Sequence, residues 1–283
     1  MSKLLLWLSE RKLFTRLLCG VYLVLVSLLH KQVSNVFDWM RAVLSFKLYD
    51  EALLDASLLI ALVFVLFLGL KIKKSRKRRS IIMCWFFTAL LVIASHKLLI
   101  VFNVEMIHYP QYAILALLVF SLVMNYRKTV FWTTFISVLD ETYQYFVIYR
   151  DDNDTYFDFN DIILNLVGAG IGVALIYTLT EMGPRPEGAQ KAGRKFVSPI
   201  FLTTSLILIP GVFLYISGLL QFYPGPNSAS ALIVLSRKAA ATGFWTVPTV
   251  GKPFHVLAPI EGILSIAALI LCYSYMDYVV KKR

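Results

Sequence analysis

The sequence predicts an all-α membrane protein, a polytopic helical bundle of about eight transmembrane helices in a single domain of residues 1–283. The chain is 58% hydrophobic and only 16% charged, whereas a soluble domain is nearer half apolar and a quarter charged. Several apolar runs also reach the roughly 20 residues that a helix needs to cross a bilayer. Composition and run length together exclude an ordinary soluble domain.

The apolar runs define the predicted spans. No small-residue cleavage site follows the first run, so we expect it to be a retained span and not a removed signal. The fourth run is short, but Tyr109 and Tyr112 near its start suit a membrane–water interface. The fifth and sixth runs are apolar but carry acidic and amide side chains. The predicted spans lie near residues 13–30, 52–70, 81–102, 111–124, 129–148, 161–179, 199–220 and 256–276.

Basic residues fall mainly in alternate connectors and at the chain ends. Because lysine and arginine near short connectors resist translocation, both termini are predicted to be cytoplasmic. The same rule accounts for the net charge of +11 without nucleic acid, although the run Lys71–Arg79 could instead bind anionic lipid or nucleic acid. The seventh connector is an exception, since it carries Arg237, Lys238 and Lys252. The other basic connectors hold Lys71, Lys73, Lys74, Arg76, Lys77, Arg78, Arg79, Arg127, Lys128, Arg185, Lys191, Arg194 and Lys195.

Two connectors are long enough to deserve separate interpretation. Residues 180–198 are rich in proline and glycine and are predicted to form a cytoplasmic linker. Residues 221–255 are predicted to form an outer loop that begins with turns. The three cysteines all fall inside apolar runs, which is typical of small core residues and not of a disulfide framework.

Polar side chains in the fifth and sixth spans are the clearest sign of a working site. Carboxylates and amides at membrane depth cost a few kcal/mol each, so they usually mark function. Glu141 and Gln144 are three residues apart and share a helix face, as do Asp161 and Asn165, four apart. We therefore expect these four to line an outward-open polar cavity, with His108 and Arg150 at its rim. Secondary candidates at similar predicted depth are His96, Lys97, Gln111, Asp158, His255 and Glu261.

Structural explanations compete with this interpretation. Glu141 could pair with Lys97 or Arg150 simply to stabilise the bundle. Gln144 and Asn165 could simply form hydrogen bonds between helices. The secondary candidates could be core residues with their hydrogen bonds satisfied, or polar residues at the ends of spans. Two glycines four residues apart predict close helix packing, because glycine lets backbones approach. They are Gly168 and Gly172.

The sequence predicts no cofactor and carries no recognised catalytic motif. The acidic loop from Asp151 to Asp158 lacks the glycine and final glutamate of an EF-hand loop, so we expect a solvated connector. A divalent cation held by Asp158, Asp161 and Glu141 stays open as an alternative.

A set of these residues resembles the VanZ-like family of bacterial membrane proteins. The resemblance covers roughly spans three to six, as a core of residues 90–179. Two features depart from it: Glu105 stands where many relatives have a lysine, and the gap from Arg150 to Asp161 is long. The resemblance rests on Glu141, Gln144, Arg150, Asp161, Asn165, Gly168 and Gly172, preceded by His108, Tyr112 and Leu115.

The resemblance implies an envelope protein of the bacterial inner membrane with a link to glycopeptide resistance, notably to teicoplanin, and no settled activity. We expect a site for membrane lipid, such as a lipid-linked precursor or glycolipid. One alternative is a membrane hydrolase or transferase acting on a lipid-linked substrate, with Glu141 or His108 as acid or base and Arg150 on a phosphate. A small-solute transporter is a further alternative.

Overall fold

The computed structural model describes residues 3–73, 75, 77–152, 155–181, 197–224, 231–237 and 243–281. The described chain is almost entirely helical. A 3₁₀ turn, Asn103–Ile107, precedes α6, and a π-helical turn, Gln144–Ile148, follows α7. The helices are α1 Lys3–Glu10, α2 Lys12–Leu28, α3 His30–Leu44, α4 Phe46–Ile72, α5 Arg78–Leu98, α6 His108–Val123, α7 Tyr126–Tyr143, α8 Phe159–Glu181, α9 Val197–Ile216 and α10 Pro259–Lys281.

Each predicted span contains a helix, and α1 and α3 are additional. In the described part of the chain, α4, α5, Asn103–Val123 and most of α8 are long and apolar enough to cross a membrane. Helices α2 and α3, bent by 49° at Leu29, would make a fifth span together. The helical membrane protein is thus confirmed, while the number eight and the cytoplasmic termini stay predictions. Most of the predicted linker, residues 182–196, lies outside the described residues.

Helix α8 forms the centre of the bundle. It packs against α5, α6, α7 and α10. In its most apolar stretch 83% of the residues are buried, compared with 6% in α4. The surface of α4 therefore suits lipid, whereas α8 is surrounded by protein.

Two glycines allow α8 to lie directly on α6. A Cβ atom on Gly168 would come within 2.8 Å of the carbonyl oxygens of His108 and Tyr109. A Cβ atom on Gly172 would come within 2.6 Å of the carbonyl oxygen of Ala113. These distances are well below van der Waals contact, so only glycine fits.

Replacing Gly172 by alanine is expected to destabilise the protein by about 1–3 kcal/mol, since the added methyl must push α6 and α8 apart. The matched control is Gly69→Ala on α4, where a Cβ would meet nothing within 4 Å. That change is expected to be neutral, or to stabilise the helix by up to about 1 kcal/mol. Thermal unfolding of both purified variants in detergent measures the difference, and equal midpoints would contradict the close packing.

Local signals set the turns on both sides of α7. Met124 adopts a left-handed conformation, with φ 49°, and ends α6. Asn125 then caps α7 by accepting a hydrogen bond from the Lys128 N–H at 3.0 Å. At the other end, Asp158 caps α8 by accepting from the Asn160 N–H at 2.8 Å. Helices α6, α7 and α8 therefore alternate in direction, each antiparallel to the one before it. The end of α7 lies beside the start of α8, and we call this side of the bundle the α7–α8 end.

The segment predicted as an outer loop contains short pairings. Strands β1, Leu220–Gln221, and β2, Ile233–Val234, pair in parallel. An isolated bridge joins Tyr156 to Ser236, which ties this segment to the loop before α8. Residues 225–230 and 238–242 of the segment lie outside the described residues.

The order of the helices places several basic residues at one end of the bundle and acidic residues at the other. Lys71 and Lys73 at the end of α4, and Arg127 and Lys128 at the start of α7, lie at the opposite end from Asp158. A cysteine at Lys73 is therefore predicted to resist external labelling, while one at Asp151 is labelled. The measurement uses intact cells and a background without Cys19, Cys84 and Cys272. Strong labelling at position 73 with none at 151 would reverse the orientation.

Candidate functional site

Asp140 joins three helices at the α7–α8 end. Its carboxylate accepts hydrogen bonds from the hydroxyl of Ser27 on α2, from the hydroxyl of Tyr112 on α6 at 3.1 Å, and from the amide of Gln144 at 3.4 Å. Asp140 itself is only 9% exposed. A buried carboxylate held by donors from separate elements fixes the position of each of them.

Asn165 on α8 is the centre of a second group of bonds. Its Oδ1 lies 2.8 Å from Nδ1 of His108 on α6, and its Nδ2 donates to Oγ of Ser137 on α7 at 2.9 Å. The Nε2 atom of His108 lies 3.5 Å from Oδ1 of Asp161. One amide therefore links α6, α7 and α8.

The proton positions in this group follow from the partners. Because Asn165 donates through Nδ2, its Oδ1 is the acceptor, and Nδ1 of His108 carries the hydrogen. The other nitrogen of His108 then faces a carboxylate oxygen of Asp161. This contact would be favourable with a proton held on either atom, so the geometry places an imidazole and a carboxyl group where they can exchange a proton.

Glu141 holds the loop before α8. Its Oε1 accepts a hydrogen bond from the backbone N–H of Asp158 at 2.9 Å. Asp158 in turn caps α8. We call the following set the polar cluster: Ser27, His108, Tyr112, Ser137, Asp140, Glu141, Gln144, Asp158, Asp161 and Asn165.

The polar cluster is closely packed. His108, Glu141, Gln144 and Asn165 are each buried, with Asn165 only 2% exposed. The π-helical turn begins at Gln144, directly after the α-helical part of α7. Such turns widen a helix locally and often occur at functional sites. Here the widened turn begins a few residues after the two neighbouring acidic residues, Asp140 and Glu141.

Four of the principal sequence candidates lie in the polar cluster, together with His108. Arg150 does not, because its side chain is exposed in the loop after the π-helical turn. Lys97 is exposed on α5, and Gln111 lies outside the polar cluster, where its backbone carbonyl oxygen accepts a hydrogen bond from the hydroxyl of Tyr22. His96 belongs to another group, where it contacts Asn103 at 3.2 Å. His255 and Glu261 lie in a separate pocket near the start of α10.

Sequence reasoning left Asp140, Ser27 and Ser137 out of the candidate site. Asp140 and Gln144 are four residues apart and share a face, so their spacing could have identified Asp140. Ser27 and Ser137 had no comparable signal, since isolated serines are common in apolar helices. Ser27 is separated from Asp140 by 113 residues, and only the fold brings them together.

Among the described residues, no three histidine, cysteine, aspartate or glutamate side chains are arranged to hold a metal ion. Glu141, Asp158 and Asp161 nevertheless lie near each other, because Glu141 bonds the backbone of Asp158 and Asp158 bonds the backbone of Asp161. A divalent cation at these carboxylates stays a prediction.

Asp158 makes stability depend on pH. Burial, with the neighbouring Asp161 carboxylate, raises the pKa of Asp158 to about 7, from about 4 in an unfolded chain. Protonated Asp158 therefore favours the folded state, and this contribution is present below about pH 4 and lost as pH rises through about 7. Asp158→Asn is expected to reduce the fall in melting temperature between pH 5 and pH 8. The control Asp151→Asn, at an exposed position, should show the same fall in melting temperature as wild type. An equal fall in all three proteins would contradict the role of Asp158.

Comparisons with known proteins agree with this architecture. No match was found among curated proteins or solved structures. The family model VanZ/LLP1 matches residues 15–180, more than half of the chain. The match runs from α2 to α8, so it includes every residue of the polar cluster and begins well before the core of residues 90–179. The resemblance to the VanZ-like family is therefore confirmed, and the chain belongs to the VanZ/LLP1 family of membrane proteins.

Proposed function

We propose that this protein of the bacterial inner membrane binds a lipid-linked or glycolipid component of the cell envelope at the α7–α8 end. The observation that carries the proposal is the polar cluster, in which Asp140 and Asn165 make hydrogen bonds to α2, α6, α7 and the π-helical turn. Burying this many polar groups is costly, and an apolar core would hold the helices as well. A binding role explains why the cost is tolerated.

The charge of the polar cluster favours one class of head group. Asp140, Glu141, Asp158 and Asp161 place four carboxyl groups close together, beside the imidazole of His108. Carboxylates accept hydrogen bonds from hydroxyls and amines and repel phosphates. Arg150 is exposed and does not offset them. The part of the ligand next to the cluster is therefore a sugar or amine and not a bare phosphate.

Orientation connects this site to antibiotics. The positive-inside rule places the α7–α8 end on the outer side. Glycopeptide antibiotics act outside the membrane, so a protein that binds an outer envelope component there can alter susceptibility to teicoplanin-type drugs. Resistance is the proposed consequence of binding, and the bound component is the primary ligand.

A second candidate function is catalysis on the same ligand. The pair of His108 and Asp161, with Asn165 fixing the ring, is suited to move a proton. A hydrolase or transferase would use His108 as base and a water or hydroxyl as nucleophile.

Gene deletion with lipid profiling separates binding from catalysis. Loss of a binding protein is expected to change teicoplanin susceptibility without accumulation of a precursor, and Asn165→Ala expressed at wild-type level should fail to restore it. Accumulation of one lipid species that only active protein removes would favour the enzyme. Full restoration by Asn165→Ala, with unchanged lipids throughout, would contradict both roles for the polar cluster.

A further inference from the structure

A pocket beside the polar cluster has features of its own. It encloses about 600 Å³ between the loop before α8, the segment after α9 and the first turn of α10. Small-ligand sites are typically about 300–1,000 Å³. The walls are mainly aromatic, and Phe157 and Phe159 contribute from either side of Asp158. We call this the aromatic pocket, and its other main walls are Tyr156, Tyr223, Phe244 and Phe254.

Backbone hydrogen bonds fix the walls of the aromatic pocket. Phe157 N–H donates to the Leu235 carbonyl at 2.7 Å, and Arg237 N–H donates to the Thr155 carbonyl at 3.0 Å. On the other side, Thr246 and Phe254 exchange two bonds, at 2.8 and 3.1 Å. A preformed pocket binds with less loss of conformational entropy than a mobile loop.

One side of the aromatic pocket carries an ion pair. His255 stacks on Phe244 with ring centroids 4.1 Å apart and an angle of 10°. Its Nδ1 faces the Phe244 carbonyl at 2.7 Å, so Nδ1 donates. Its Nε2 lies 3.1 Å from Oε2 of Glu261, which also accepts from the Ala258 N–H. Both ring nitrogens therefore face hydrogen-bond acceptors, and Nε2 lies at ion-pair distance from the Glu261 carboxyl group.

Glu261 keeps one oxygen for a ligand. Its Oε2 is occupied by His255 and Ala258, while Oε1 makes no hydrogen bond with the described residues. The side chain of Glu261 is 51% exposed at the edge of the aromatic pocket. This places one hydrogen-bond acceptor beside the aromatic walls.

We propose that the aromatic pocket binds a sugar ring, which on the proposed function belongs to the head group of the envelope lipid. A sugar ring has C–H faces that pack on aromatic rings and hydroxyl edges that donate to a carboxylate such as Glu261. A quaternary ammonium is best held by a negative charge without other partners, and Oε2 of Glu261 is already taken by His255 and Ala258. An acyl chain would leave His255 and Glu261 facing hydrocarbon.

Part of the pocket lies outside the residues that match the family model. The family match ends at residue 180, and Phe244, His255 and Glu261 all follow it. The matched residues supply the polar cluster and three of the aromatic walls, while the later segment supplies the His255–Glu261 contact and the other three named walls.

Binding of a defined glycolipid to the full-length protein tests this inference. The probes are glucosyl diacylglycerol, phosphatidylcholine with the same acyl chains, and free glucose, each titrated in a sugar-free detergent. The glycolipid is expected to bind saturably and phosphatidylcholine is not. Phe244→Ala and Glu261→Gln should each weaken binding about tenfold, the effect of losing one good stacking or hydrogen-bonding contact. The controls Phe213→Ala on α9 and Glu51→Gln on α4 are both exposed and should bind as wild type.

The outcomes separate the aromatic pocket from the proposed function. If Glu261→Gln, which barely changes shape, and Phe244→Ala both bind as wild type, the pocket assignment is overturned. Equal binding of phosphatidylcholine would overturn the sugar. If Asn165→Ala abolishes binding while both pocket variants keep it, the proposed function stands and this inference fails. Competition by free glucose would show that the sugar ring alone is recognised. Glycolipid binding without competition by glucose would show that the lipid anchor contributes affinity. Under either result, wild-type binding by both pocket variants still overturns the pocket assignment.

Discussion

Asp140→Ala is expected to destabilise the protein more than any other single polar substitution. It removes one acceptor from Ser27, Tyr112 and Gln144 together, and of these donors Tyr112 and Gln144 are buried. Hydrogen bonds between membrane helices contribute about 0.6–1.7 kcal/mol each, and an orphaned buried donor costs about 1–3 kcal/mol. We therefore expect a loss of about 2–5 kcal/mol.

The free energy of unfolding, measured by denaturant titration in mixed micelles, checks this expectation. Asp55→Ala is the matched control, because Asp55 lies exposed on α4. It should change stability by less than about 0.5 kcal/mol. The three-donor account of Asp140 fails if both substitutions have the same small effect.

Asn165→Ala gives the second large effect, and it acts on function as well as stability. The substitution leaves Nδ1 of His108 and Oγ of Ser137 without their partner. A loss of about 1–3 kcal/mol in the free energy of unfolding follows from two broken buried bonds. Because Asn165 sets the orientation of the His108 ring, ligand binding should fall even where the variant remains folded.

Asn35→Ala provides the comparison, since Asn35 is an exposed amide on α3. It is expected to keep wild-type stability and binding. Melting temperature and ligand binding should both be measured for the two variants at equal expression. If Asn165→Ala retained full binding, the amide would be only a structural link between helices.

Much of the fold could be predicted from the sequence because long apolar runs determine membrane helices. Helix α3 could not be predicted, because Lys31, Gln32, Asp38 and Arg41 are typical of a polar connector. It follows α2 after a bend of 49°. Helix α1 is short, and eight residues give no clear periodicity. The break between α2 and α3 at Leu29 could not be predicted, because neither neighbouring residue is a glycine or proline.

The candidate site was predictable where spacing along one helix carries the information. The pairs Glu141 with Gln144 and Asp161 with Asn165 follow from helix periodicity. The partners Ser27 and Ser137 do not, because they depend on which helices pack together. The π-helical turn after Tyr143 depends on the same packing and has no sequence signature.

The aromatic pocket was beyond sequence reasoning for a different reason. Its walls come from non-helical backbone, where pairings such as Thr246 with Phe254 have no periodic pattern. His255 and Glu261 were candidates for the polar cavity, but the structure places them with Phe244 instead. Local pairing, and not depth in the membrane, decides their surroundings.

The most direct test of the central claim is to identify the lipid that co-purifies with the protein. Wild-type protein and folded Asn165→Ala would be extracted from the same bacterial membranes in a sugar-free detergent, and their bound lipids compared by mass spectrometry. The account predicts that one glycolipid or lipid-linked envelope component is enriched with wild type and depleted at least several-fold with Asn165→Ala. Identical bulk phospholipid in both preparations, with no enriched species, would contradict it.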